Sequence, residues 1–235
     1  MCNHRTVMKI LSYFRFLSFC LLSFFSSYLA AEIHGKIDIG PTFVSVDILE
    51  SGKTEDTIRF GAVKGDLTLL VWKGLAFKSG FMIGEGKKHA QFTSGYLGLG
   101  QYIPVTDKFM ILPSVGVTFS YLKTHVDFEH FQLFDLKERF RSSSPYVGID
   151  FSYKLTDKLT VVGICQYAWC HTHTKIKPIV SSKSHSNGPN YSLGLDYSFN
   201  ANWTLTAGVG YNITLSREKH GLRGKGAKIG MAYYF

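Results

Sequence analysis

The chain is poor in cysteine and proline, and beyond residue 31 it has no long apolar run. Four cysteines occur in 235 residues, against six prolines, 23 glycines, 19 phenylalanines and 13 tyrosines. Cys2 and Cys20 fall in the amino-terminal stretch. Cys165 and Cys170 stand five residues apart on what reads as one strand. At about 3.3 Å per residue they face opposite sides and lie beyond disulfide reach, so pairing with each other is excluded. They read as small hydrophobic residues, with a crosslink to another chain left open. No stretch after residue 31 approaches the roughly 18 consecutive apolar residues of a spanning helix, so the remaining chain is either soluble or crosses a membrane as strands. A phosphate-binding glycine loop and a metalloprotease helix are also missing. The glycines alternate with apolar residues, as they do when strands pack.

The amino terminus has its own pattern. Arg5, Lys9 and Arg15 precede an apolar run from Phe16 to Phe25, and Ser26, Ser27, Ala30 and Ala31 follow. That order is a signal peptide over 1–31, cleaved after Ala30 or Ala31, which leaves one domain over 32–235. The stretch before Cys20 lacks the small residue that a lipoprotein site needs. The formal net charge is +9. Its excess sits in segments that read as loops, at Lys87, Lys88, Lys183, Arg217, Lys219, Arg223 and Lys225. Scattered basic loops on an exported chain, near acidic lipid head groups, account for it, and nucleic acid is not expected as a partner.

Period-two alternation dominates the rest. Val147, Ile149, Phe151, Tyr153 and Leu155 oppose Gly148, Asp150, Ser152 and Lys154. Leu193, Leu195, Tyr197 and Phe199 oppose Ser192, Gly194, Asp196 and Ser198. Trp203, Leu205, Ala207 and Val209 oppose Thr204, Thr206 and Gly208. Each run is a strand with one greasy and one small or polar face. Strand–turn–strand units recur around 106–108, 156–158 and 200–202, where Thr, Asp and Asn favour tight turns. Ten strands are expected, at 36–48, 57–64, 67–83, 92–104, 109–123, 144–155, 159–174, 189–199, 203–217 and 225–235. The turn between the second and third stays open between Gly65-Asp66 and Lys73-Gly74. Merging those two strands and losing the first would give eight. Short turns alternate with longer polar loops at 50–56, 84–91, 124–143, 175–188 and 218–224. The fold class is therefore all-β: a closed antiparallel up-and-down transmembrane β-barrel of ten strands (alternatively eight) after a cleaved signal peptide.

The ending sharpens this. Ile229, Met231, Tyr233 and Phe235 share one face of the last strand, opposite Lys228, Gly230 and Ala232. With the signal peptide, the alternation and the turn–loop rhythm, the chain resembles the small single-chain outer-membrane β-barrels of Gram-negative bacteria. In that family a terminal Phe with an aromatic residue two before it and apolar residues at further two-residue steps forms the sorting and closing strand. The resemblance implies residence in the cell outer membrane, with outer-membrane lipid and the barrel-assembly machinery as partners. Host or neighbouring envelope proteins stay open as further partners. It also implies aromatic belts, with Phe109, Tyr197, Phe199, Trp203, Tyr233 and Phe235 near the turns and Phe119, Tyr121, Tyr146, Tyr167 and Trp169 near the loops.

Inward faces hold the charges. Asp38, Asp150, Asp196, Lys154 and Lys228 are the expected lumen residues, with Arg59 or Lys78 as further candidates. A packed, salt-bridged interior is favoured over a narrow polar pore, because eight to ten strands enclose little beyond side chains. Catalytic groups, metal ligands and cofactors are not expected. His171 and His173 share a face but lack further ligands. His185 within Ser184-His185-Ser186-Asn187 departs from the His–x–Ser pattern of lipid deacylases, and no Asp-x-Asp or Asp-x-His stands at a strand top. The expected role is structural or surface-interacting. Its means is the loop at 124–143, with Phe128, Phe131, Phe134 and Phe140 exposed; a diffusion channel is the alternative and a lipid-acting enzyme the third.

Overall fold

The computed structural model describes residues 34–86, 90–126, 136–177 and 180–235. The expected signal peptide over 1–31 lies outside them, as do Phe128, Phe131 and Phe134. Among the described residues the strands are β1 (His34–Glu50), β2 (Lys53–Trp72), β3 (Leu75–Gly86), β4 (Gln91–Gln101), β5 (Ile103–Pro104), β6 (Phe109–Val126), β7 (Leu136–Lys154), β8 (Leu159–Lys177), β9 (Val180–Ser198), β10 (Trp203–Leu215) and β11 (Gly221–Tyr234). β5 continues β4 past a break at Tyr102 and pairs with the same neighbour, β6, so the two form one stave and the barrel has ten. Every stave pairs antiparallel with the next in sequence. β1 pairs with β11 through registers such as Ile37 with Tyr233 and Thr42 with Lys228, which closes the ring.

Alternation decides which way each side chain looks. Val209 and Ile229 are 60% and 63% exposed, while their inward neighbours Lys228 and Thr206 are covered. The large apolar side chains at Ile37, Phe43, Val115, Ile149, Leu193, Leu195 and Trp203 are likewise on the outside. This inverts a soluble protein, where such residues would be inside. It fits hydrocarbon as the outer solvent, with backbone groups satisfied within a closed sheet. The ten steps from Ile111 to Tyr121 on β6, at about 3.3 Å each on a strand tilted about 40°, rise about 25 Å, the height of an apolar band across an outer membrane.

Three turns at one end use the same device. The Thr106 hydroxyl accepts from the Phe109 amide at 3.0 Å, and the Thr156 hydroxyl accepts from the Leu159 amide at 3.0 Å. The Asn200 side-chain oxygen accepts from the Trp203 amide at 2.8 Å. Each ends one strand and starts the next with four residues between them. A fourth turn at this end, Lys73-Gly74, has both residues at positive φ, as a two-residue hairpin turn requires. The Gly65-Asp66 alternative is thereby overturned. β2 runs unbroken through those residues, because Gly65 pairs with Ile39 and Asp66 with Asp38.

The other end differs from the sequence expectation. Several segments read as polar loops are strand. The segment at 50–56 closes at Ser51-Gly52, both at positive φ, and β2 is already paired at Lys53. β6 and β7 extend pairing to Val126 and Leu136. β8 and β9 remain paired to Ile176 and Val180, so Ser184-His185-Ser186-Asn187 and Lys183 lie in a strand. Arg223 and Lys225 are also on a strand, β11. Polar alternation on both faces looks like loop when it is a hairpin rising past the membrane. Strands of 19 residues in β7, β8 and β9 far exceed the 9–11 that a crossing needs.

Candidate functional site

The lumen at the turn end holds a lattice of charges. Lys228 on β11 lies between Asp38 on β1, at 3.0 Å, and Asp66 on β2, at 3.2 Å. Lys64 reaches Asp66 at 3.3 Å. The Tyr96 hydroxyl donates to Asp66 Oδ1 at 3.1 Å, and the Thr206 hydroxyl donates to Asp38 Oδ1 at 3.1 Å. Lys36 on β1 meets Asp196 on β9 at 2.6 Å, with its ammonium also 5.4 Å from the Tyr234 ring centre. Lys78 on β3 pairs with Asp150 on β7. Four lysines and four aspartates thus neutralise one another.

Two of these pairs are not along the wall. β3 reaches β7 only through β4 and β6, and β1 reaches β9 only through β11 and β10. At about 4.8 Å per strand spacing, three steps round the wall put the partners' backbones far apart. The Lys78–Asp150 and Lys36–Asp196 pairs therefore cross the bore. Glycines make room in the register row of Lys78. A Cβ at Gly98 or Gly116 would stand 2.4 or 2.6 Å from the Tyr146 hydroxyl. Those two glycines face each other on β4 and β6, and the tyrosine lies over both.

The structure places Asp38, Asp150, Asp196 and Lys228 in this lattice. The further candidate Lys78 is there too, and Lys36, Lys64 and Asp66 join it unforeseen. Lys154 stands at the turn-end mouth, exposed and outside the lattice. Arg59 is not a lumen residue: opposite Ser45, it shares the outward parity of Val63 and Thr57. Tyr146 is not in the outer belt, since it is buried and faces inward. Alternation carries a residue's face but not its height, so neutral pairing across the bore was invisible in sequence.

Above the lattice, one side of the lumen is dry. Val44, Val46, Phe60, Ala90 and Leu122 form a buried cluster, with Ile58, Met82, Phe92, Phe140 and Leu222 packed against it. Phe60 and Phe92 have ring centres 6.0 Å apart. Phe140 is therefore inside and not exposed in a loop. The cluster left a trace in the sequence. Phe43-Val44 and Ser45-Val46 break the greasy–polar alternation, which is expected where both faces are apolar. The opposite wall is polar, where the Asn190 amide donates to Gln166 at 2.9 Å and the Thr172 hydroxyl to Ser142 at 3.3 Å. A cavity of about 2920 Å³ runs through the lumen, with Ser184 lining it towards one end and Lys108 towards the other.

On the outside, above the apolar band, His171 and His185 are directly opposed on β8 and β9 with ring centres 4.8 Å apart. Among the described residues no group of three metal-ligating side chains comes together. Ser184 and Ser186 flank His185 on a strand and so point the other way. Cys165 is exposed outside, and Cys170 lies on the inner face of the same strand. On β11 and β1, Arg223 donates to Asp47 from Nε at 2.8 Å, with its Nη2 2.7 Å from the same carboxylate oxygen, and the Thr57 hydroxyl donates to that carboxylate at 2.8 Å.

Residues 96–228 match a family model described as Protochlamydia outer membrane protein. Among solved structures, the outer membrane protease OmpT from Escherichia coli aligns at a TM-score of 0.53 and 11% identity, over 86% of this chain and 96% of that one. The attachment invasion locus protein Ail of Yersinia pestis aligns at 0.42 and 14%, over 86% and 98%. Neisserial surface protein A aligns at 0.40 and 11%, over 86% and 97%. These likenesses concern the fold. A search of curated protein sequences found no match.

Proposed function

The chain belongs to the Protochlamydia outer membrane protein family, and from that premise we propose that it is an outer-membrane barrel closed at its turn end, acting through its outer surface. The observation that carries this reading is the pair of salt bridges across the bore, Lys78–Asp150 and Lys36–Asp196. Neither charge of either pair is left to bind a passing ion, and both side chains stand where a solute would have to go. The Phe60 cluster fills much of one side above them. Strands extending past the membrane give the outer end a large, rigid face for contact with neighbouring envelope or host proteins.

A narrow diffusion channel is the second reading, favoured by the cavity that reaches towards both ends. Planar-bilayer recording separates the two. The wild-type barrel should give no stepwise conductance, and the Lys78→Ala/Asp150→Ala double variant, which removes one crossing pair without leaving a lone charge, should give steps. Reproducible steps from the wild type would replace the closed reading with the channel.

A further inference from the structure

Among the described side chains, one sector of the outer wall collects fixed positive charge without collecting carboxylates. Lys123 on β6, Arg139 and Arg141 on β7 and Lys183 on β9 occupy outward positions. Register puts Lys123 directly opposite Arg139, and Arg141 and Lys183 in one row with His173 of β8 between them. Like charges directly opposite on neighbouring strands destabilise a sheet. Among the described residues neither Lys123, Arg139, Arg141 nor Lys183 takes part in a salt bridge. The Arg139 Nε is buried and has no hydrogen-bond partner. Among the described side chains, the carboxylate in line with Lys123 is Glu85, separated from it by the whole of β4, where Gln91 stands between them.

Height identifies what could answer this charge. Tyr121 and Trp169 stand at the upper edge of the apolar band, one aromatic belt, and the basic residues begin just beyond it on the same outward face. Arg141 lies over the Tyr121 ring at 5.8 Å, which keeps its guanidinium against the wall at that edge. A charge so placed cannot face hydrocarbon and cannot reach the lumen. It looks sideways into the head-group layer of the outer leaflet. The rim on the other side shows the contrast: there Asp47 occupies Arg223 and lies 3.7 Å from Lys225, so the charge is answered from within the protein.

We infer that the outward face of β6–β9 around Lys123, Arg139, Arg141 and Lys183 is a seat for the phosphorylated head group of a glycolipid in the outer leaflet. A phosphate oxygen is a strong acceptor and matches the guanidinium fork in two-point geometry. One head group carrying two phosphates can bridge the Lys123–Arg139 pair and the Arg141–Lys183 row. This relieves the repulsion of both while its acyl chains lie against Tyr121, Tyr167 and Trp169. The inference rests on membrane residence and does not depend on whether the bore is closed.

The test uses the full refolded barrel in uncharged detergent, with bisphosphorylated lipid A as the probe. The Lys123→Gln/Arg141→Gln variant and a Lys225→Gln control are compared by native mass spectrometry and by titration at two salt concentrations; heat-modifiable migration verifies that each is folded. The wild type and the control should bind alike. The double variant should bind at least about tenfold more weakly, about 1.4 kcal/mol, with a shallower salt dependence. Lipid A stripped of both phosphates should bind the wild type no better than the intact lipid binds the double variant. Equal binding by wild type and double variant, or by phosphorylated and stripped lipid, overturns the inference. So does competition by millimolar inorganic phosphate alone or by a soluble sulfated polysaccharide, because the site would then take free anions or a glycan partner.

Discussion

The inner and outer walls of this barrel treat the same residue type in opposite ways. Inside, Lys36, Lys64, Lys78 and Lys228 each have an aspartate, and the layer is neutral. Outside, on β6–β9, Lys123 faces Arg139, and among the described residues neither has a salt bridge. An enclosed charge has to be answered by the chain itself, since leaving water is costly and no other partner is at hand. A charge at the edge of the membrane can be answered by the membrane. The difference teaches that unanswered charge on the outer wall is a choice of partner, while unanswered charge inside would be a defect.

Three substitutions test that contrast, and they differ in sign as well as size. Lys228→Ala should have the largest effect. It leaves Asp38 with Thr206, and Asp66 with Lys64 and Tyr96, as their remaining partners, and the loss should be about 3–5 kcal/mol in the urea unfolding of the refolded barrel. Adding Asp38→Asn should restore part of it; an unchanged midpoint for the single variant would mean that the lattice is solvated and the interior is not closed. Next comes Val117→Arg, on the outward face at mid-height of β6. It should lose about 2–4 kcal/mol, visible as a lowered denaturant midpoint and an altered heat-modifiable gel shift. No change there would deny that this wall faces hydrocarbon. Smallest, and opposite in direction, is Lys123→Gln. In detergent free of phosphorylated lipid it should stabilise the barrel by up to about 1 kcal/mol, because it removes a like-charge cross-strand pair. A loss of stability instead would show that Lys123 has an internal partner.

The fold was largely legible because the membrane imposes a simple rule. Leu193, Leu195, Val209 and Ile229 are outward, and each stood on the greasy parity of its strand. The three tight turns were visible because Thr106, Thr156 and Asn200 bond to their own backbone. Two kinds of information were not visible. Strand ends above the membrane have no solvent contrast between faces, so 175–188 looked like a loop although β8 and β9 pair through most of it. Partners across the bore, such as Lys78 with Asp150, depend on stagger and barrel closure, which no local pattern encodes. Lys36 and Asp66 were missed for that reason. The apolar cluster around Phe60 was missed for another: Phe43, Val44 and Val46 put apolar residues on both faces of the strand expected at 36–48, and that break in alternation was not interpreted.

The seam between β1 and β11 has a temporal consequence. Gly35 and Phe235 exchange backbone hydrogen bonds at 2.8 and 3.0 Å, so the two ends of the folded domain meet only when its last strand is available. Lys36–Asp196 and Lys228–Asp38 straddle that seam or lie beside it. Hairpins can form early from local contacts, whereas pairing over such a separation is slow. Until the final strand docks, these four charged groups are on an open curved sheet with water at hand, and the step that shuts the ring also dries them.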